Sequence, residues 1–294
     1  MRWGKALFVA VAVILGCRDS RHADRDAVPH PPAEVYVSPM PRDAYPWPCR
    51  FEEYREPIAA RFPAPRGFER AEVADGSWGQ WLRHLPMAPT GTPVRGEDGD
   101  VIARSDAPHV AGVVDMDVRE NQECADVILR LRAEYLRWAG REEEIKFALT
   151  GGGTISWPQW RRGTRPRLEG DELAFERTAE PDDSRASFDA FLSAVFAWCG
   201  TISLTRDGEP VTLGELAVGD YLAHGGSPGH AAVIVDLARD ESGQTVGLVL
   251  QGFMPAQTPH LVAGDRGAWH TLSPSRPVEV PWGRFVRPEV SGMI

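Results

Sequence analysis

A thiol, an imidazole and a carboxamide are enough for acyl transfer if a fold brings them together. Cys124 can supply the thiolate that attacks a carbonyl carbon. His230 can take the thiol proton as a base and return it to the leaving group as an acid. Gln251 can orient the imidazole through its side-chain carbonyl, the third role of a triad. Gln122, just before the cysteine, can offer an amide to a developing oxyanion. Each residue also has an ordinary explanation. Cysteine is a common small apolar core filler, a histidine beside a strand is often held by a neighbouring carbonyl, and Gln251 can simply close a strand edge. Placement decides between the two.

The elements that must do the placing are legible. Asn121 is a candidate N-cap for a helix over 122–139 that Gly140 closes. Its stripe of Cys124, Ile128, Leu131, Tyr135 and Trp138 recurs at three- and four-residue steps. Cys124 thus stands in the first turn, where unpaired N–H groups and the helix dipole lower a thiol's pKa. In GGSPGHAAVIVD a Gly/Ser/Pro turn runs into a β-branched strand over 231–237, and His230 stands at the junction. Gln251 ends the next strand, over 245–251, and antiparallel pairing brings it beside His230. Further strands are expected over 110–118 and 216–222, and a second amphipathic helix over 184–198 with Phe188, Phe191, Leu192, Val195 and Phe196 on its core face. Helices first and strands afterwards make the class α+β, with the cysteine-bearing helix packed on an antiparallel sheet.

The chain opens MRWGKALFVAVAVILGC. A basic n-region, an apolar run too short to span a bilayer and Ile14-Leu15-Gly16-Cys17 together predict a lipoprotein signal peptide over 1–16, with Cys17 carrying a lipid anchor. Arg18 after that cysteine points to the outer membrane, on the periplasmic face. Losing Arg2 and Lys5 takes the net charge from −10 to −12, which argues against a nucleic-acid partner, since phosphate neutralisation needs a basic face. Residues 17–60 read as a Pro-rich tether, although Tyr45, Trp47 and Cys49 are costly to leave exposed, and 61–290 as a single domain. Cys49, Cys124 and Cys199 are an odd number of thiols for an oxidising compartment. WPQWRRGTRPR offers Trp157, Trp160, Arg161 and Arg162 to line a groove for cell-wall material, or alternatively forms a packed connecting loop. His224, His230, His260 and His270, with Asp220 and Asp236, lack any fixed ligand spacing, so neither a metal nor another cofactor is expected.

LAVGDYLAHGGSPGHAAVIVD resembles the segment that carries the histidine in papain-like cell-wall hydrolases of the NlpC/P60 and CHAP type, and ECADVILRLRAEYLRWAG resembles their cysteine-bearing helix. A rival register sets AWCGTISL at the end of that helix and puts Ser187 near the nucleophile position. From about Phe62 onward the chain also resembles a bacterial lipoprotein family known as domain of unknown function 4846, through SWGQWLRHLPM, QECADVILRLRAEYL, FLSAVFAWCGTISL, GGSPGHAAVIVD and LQGFMPAQTPHLV. The papain-like resemblance implies a lipid-anchored cell-envelope amidase or peptidase acting on peptidoglycan peptides or similar amides. The alternative is a non-catalytic papain-like lipoprotein that binds cell-wall material.

Overall fold

HAAVIVDLAR is apolar on both faces because it runs through the middle of a covered sheet. A strand with a helix layer on one side and further chain on the other has no solvent face on which to alternate. The computed structural model describes residues 40–51, 56–170 and 172–273, with backbone at 279–280, 283–284 and 289–292. Nine strands form the main sheet: β1 (Glu69–Arg70), β2 (Val110–Val113), β3 (Glu209–Pro210), β4 (Tyr221–His224), β5 (His230–Arg239), β6 (Thr245–Gln251), β7 (His260–Val262), β8 (Trp269–Leu272) and β9 (Glu289–Gly292). The order is β2–β7–β6–β5–β4–β9–β3, with β1 also on β5 and β8 also on β6. Every pairing is antiparallel.

Four helices matter for the site: α1 (Trp78–Arg83), α2 (Cys124–Trp138), α3 (Arg185–Trp198) and α4 (Thr201–Asp207). Helix α2 lies across β5 and β6, α1 packs on β5, α4 on β4, and α3 against α2. The mixture of helices and an antiparallel sheet makes the fold α+β. Ser184 caps α3 by accepting the Ser187 N–H at 3.2 Å, and the five expected core residues of that helix are all buried. Gly140, at φ +71°, closes α2.

The start of α2 differs from expectation. Asn121 does not cap it but stands in the left-handed region at φ +58°. Glu123 is the N-cap, and its N–H donates to Asp126 Oδ2 at 2.9 Å. An acidic pair therefore holds the first turn that carries the cysteine. The strands expected over 110–118 and 216–222 are shorter, Val110–Val113 and Tyr221–His224. In the second case Asp220 Oδ2 accepts the Ala217 N–H at 2.9 Å, so a side-chain turn takes the first half of the run.

The lipidation residue Cys17, the signal peptide over 1–16 and residues 17–39 of the tether lie outside the described residues. The packed unit nevertheless reaches back before residue 61. Ala44, Tyr45 and Trp47 are buried; the Tyr45 hydroxyl donates to Trp81 O at 2.8 Å, and Trp47 Nε1 to Asp115 O at 2.9 Å. Within β5, Asp236 sits at a β-bulge, fully buried, and takes Arg70 Nε at 2.7 Å and Arg83 Nε at 2.8 Å. Those two arginines occupy a carboxylate that had counted among candidate metal ligands.

Candidate active site

Sheet register puts three polar side chains on one face. Gln251 and His260 are direct cross-strand partners on β6 and β7, so their side chains point the same way. On the other side of β6, Val233 faces Leu250; one more pair sets Ala232 opposite Gln251, and His230, two residues further, shares that face. The result is continuous. His230 Nε2 lies 2.9 Å from Gln251 Oε1, Gln251 Nε2 lies 3.2 Å from His260 Nε2, and His260 Nδ1 lies 3.1 Å from Thr258 O.

Two glycines let the neighbouring elements close on these residues. A Cβ on Gly229 would fall onto Thr201 Oγ1 and stand 2.8 Å from both Gly226 O and His224 O. A Cβ on Gly252 would stand 2.6 Å from Val127 Cγ2 and 3.1 Å from Glu123 O, where the start of α2 crosses the end of β6. The Gly-rich approach to His230 is thus a packing requirement.

Cys124 and His230 line the same cleft of about 270 Å³, together with Asp126, Cys199, Gly229 and Phe253. The backbone N–H groups of Ala231 and Ala125 lie close enough to draw the Cys124 thiol's pKa down, so the sulfur sits against the backbone of the residue after the histidine. The Phe253 ring packs on the imidazole with centroids 5.2 Å apart. Cys124 and Cys199 are free thiols. A larger cavity of about 750 Å³, lined by Arg132, Lys146, Phe147 and Tyr221 among others, has no cysteine or histidine in its described wall. The thiol and the imidazole named from the sequence both lie in the smaller cleft.

The charges here run against the helix-start expectation. Burial pushes the Cys124 thiol above its ordinary value, two backbone N–H groups pull it back, and the carboxylates of Asp126 and Glu123 raise it again. Burial lowers His230, opposed by its bond to Gln251. Burial raises Asp126 to about 7 and Cys199 to about 12, and drops His260 to about 4. At neutral pH the resting pair is therefore a thiol beside a neutral imidazole, not a thiolate beside an imidazolium. Helix-start donors do act on the sulfur, but burial outweighs them and the acidic cap adds to it.

Gln122 is placed elsewhere. It is fully buried, its Oε1 accepts from Arg130 Nη1 at 2.6 Å, and it is not part of the cleft wall, so an oxyanion role has no geometric basis. The Trp/Arg stretch does not reach the cleft either. Trp157 and Trp160 are buried against Phe188 and Phe191, Arg161 pairs with Glu142 at 3.1 Å and with Glu143, and Arg162 is exposed away from the wall. The two tryptophans are packed, as the alternative has it, but on a short helix, Trp157–Trp160, rather than in a loop. Ser187, the nucleophile position in the rival register, is buried within α3 and lies outside the cleft wall. Among the described residues no group of three or more His, Cys, Asp or Glu side chains could hold a metal ion.

The sequence carries little sign that His260 joins Gln251, because its strand is three residues long and shows no alternation. Its one sequence signal is the distance from Gln251, short enough for a tight return to the same sheet.

The family model described as domain of unknown function (4846) matches residues 58–291. The chain belongs to this family. The match to family 4846 takes in Cys124, His230, Gln251 and His260, and begins after Tyr45 and Trp47. Neither the comparison with curated proteins nor that with solved structures gave a match.

Proposed function

We propose that the protein is a papain-like cysteine hydrolase of amide bonds, carried on a lipid anchor at Cys17 on the periplasmic face of the outer membrane. Peptidoglycan peptides or similar amides are its substrates. One observation carries this reading: an imidazole held at Nε2 by a carboxamide, in the wall of a cleft that a free thiol also lines. Cys199 lines the same cleft, but burial pushes its thiol to about 12, and of the two it is Cys124 that stands at the helix start against the backbone beside His230.

The reaction follows from neutral partners. As Cys124 Sγ attacks the carbonyl carbon, His230 Nδ1 takes the thiol proton. The Cys124 N–H, first in α2 and without an intrahelical acceptor, is the group offered to the developing oxyanion. Collapse breaks the C–N bond, His230 returns the proton to the departing amine, and a thioester remains. Water, deprotonated by the same imidazole, then releases the acid and restores the thiol. Gln251 keeps the ring in place through both halves.

The test uses cell-wall peptides. Purified protein incubated with peptidoglycan fragments is expected to release new primary amines, and Cys124→Ala is expected to release none above background. No release above background by either protein would contradict the proposal and leave a binding lipoprotein, and equal release by both would contradict the role of Cys124.

A further inference from the structure

We infer that His260 is a positioning residue of this site, which acts through the Gln251 amide to hold His230 in the tautomer whose Nδ1 can accept a proton. The tautomer follows from the hydrogen bonds together with the burial that keeps both imidazoles neutral; its consequence for Cys124 rests on the hydrolase reading.

The polarity of the chain can be followed from its fixed end. A carbonyl oxygen only accepts, so His260 Nδ1, 3.1 Å from Thr258 O, must carry the hydrogen. His260 is fully buried and stays uncharged at neutral pH, which leaves Nε2 with a lone pair. The group 3.2 Å from that lone pair must be a donor, so it is the Gln251 NH₂. This settles the orientation of the amide, which X···O and X···N distances alone would leave ambiguous. Gln251 Oε1 then points at His230, 2.9 Å from Nε2, and as an acceptor it requires a hydrogen there. A neutral His230 with its hydrogen on Nε2 has its lone pair on Nδ1. Each link permits only one direction.

Without the acceptor on His260 this logic fails. The Gln251 amide could rotate to present NH₂ to His230, which would then carry its hydrogen on Nδ1 and could not take a thiol proton. Gln251 sets the tautomer, and His260 sets Gln251. His260 touches neither the thiol nor the cleft wall, so its part is to position.

The experiment is long-range ¹⁵N–¹H NMR of the full chain labelled at histidine, at neutral pH, paired with the rate of Cys124 modification by iodoacetamide. In the native protein His230 is expected as the pure Nε2–H tautomer; a pure Nδ1–H signal overturns the inference without any variant. His260→Met keeps the volume but removes the acceptor, and is expected to give mixed tautomers and modification slower by roughly 10²-fold, the scale of one lost general base. His260→Gln restores an acceptor oxygen and is expected to recover both. His260→Met that keeps a pure Nε2–H signal would overturn the inference. Shifted tautomers with an unchanged modification rate would uphold His260 as the positioning residue and count against the hydrolase.

Discussion

Burial does most to change the chemistry expected of Cys124, and Asp126 adds to it in the same direction. The sequence places Cys124 at a helix start, and that much is found, but it does not show that the cap is acidic and dry. Asp126 is buried, with one oxygen on the Glu123 N–H and the other without a partner among the described residues. Its carboxyl stands at about 7 in the fold, against about 4 in an unfolded chain. Between those values the folded state holds the extra proton, so this group costs stability as the pH rises from about 4 to about 7. Asp126→Asn keeps an oxygen for the Glu123 N–H and removes the titration. Urea unfolding should show the variant gaining on the native protein by a few kcal/mol, at order of magnitude, between pH 4 and pH 8. A difference that stays constant with pH would contradict the assignment.

At the scale of elements, strong patterns were legible and weak ones were not. The strand over 245–251 and the helix from 185 to 198 emerge from apolar periodicity because burial dominates them. The hairpin Thr164–Glu169 with Glu172–Arg177 carries charged residues along its length and offers little apolar alternation to find. The three polar residues of the site fall on one face through register, and register across β5, β6 and β7 is a property of pairing that a single run cannot reveal. His230 and Gln251 were found because one hairpin joins their strands; His260 needed the next pairing. Two glycines enforce the same geometry. Gly229→Ala and Gly252→Ala should each lower stability by roughly 1–3 kcal/mol through overpacking. Gly151→Ala, whose Cβ would meet nothing within 4 Å, should stay within about 0.5 kcal/mol. Thermal unfolding of the three variants checks this, and equal melting temperatures would contradict it.

Over the whole molecule, one buried carboxylate ties the sheet to its flanking elements. Asp236 on β5 joins Arg83 of α1 and Arg70 of β1, and all three side chains are largely or wholly buried. Removing one member leaves charges in a dry interior without their partner, so Asp236→Ala should cost roughly 3–5 kcal/mol in denaturant unfolding. A loss below about 1 kcal/mol would mean the arginines find water or another acceptor. Composition shows an acidic chain, but not that its arginines serve the interior this way. Which arginines are buried depends on long-range pairings such as Arg70 with Ala238, and a linear reading carries no trace of them.

The central claim, a thiol activated by a neutral imidazole, is tested most directly by the pH dependence of Cys124 alkylation with iodoacetamide, followed by mass spectrometry in the native protein and in His230→Ala. Proton transfer to His230 predicts a rate that rises as the imidazole loses its proton, below its ordinary titration range, then stays level, and rises again only when the thiol itself ionises above its usual pKa. His230→Ala should lose the first rise and keep only the second, falling roughly 10²-fold behind at neutral pH. Identical profiles for the two proteins, with a single rise at high pH, would show a buried thiol indifferent to its histidine and would contradict the hydrolase.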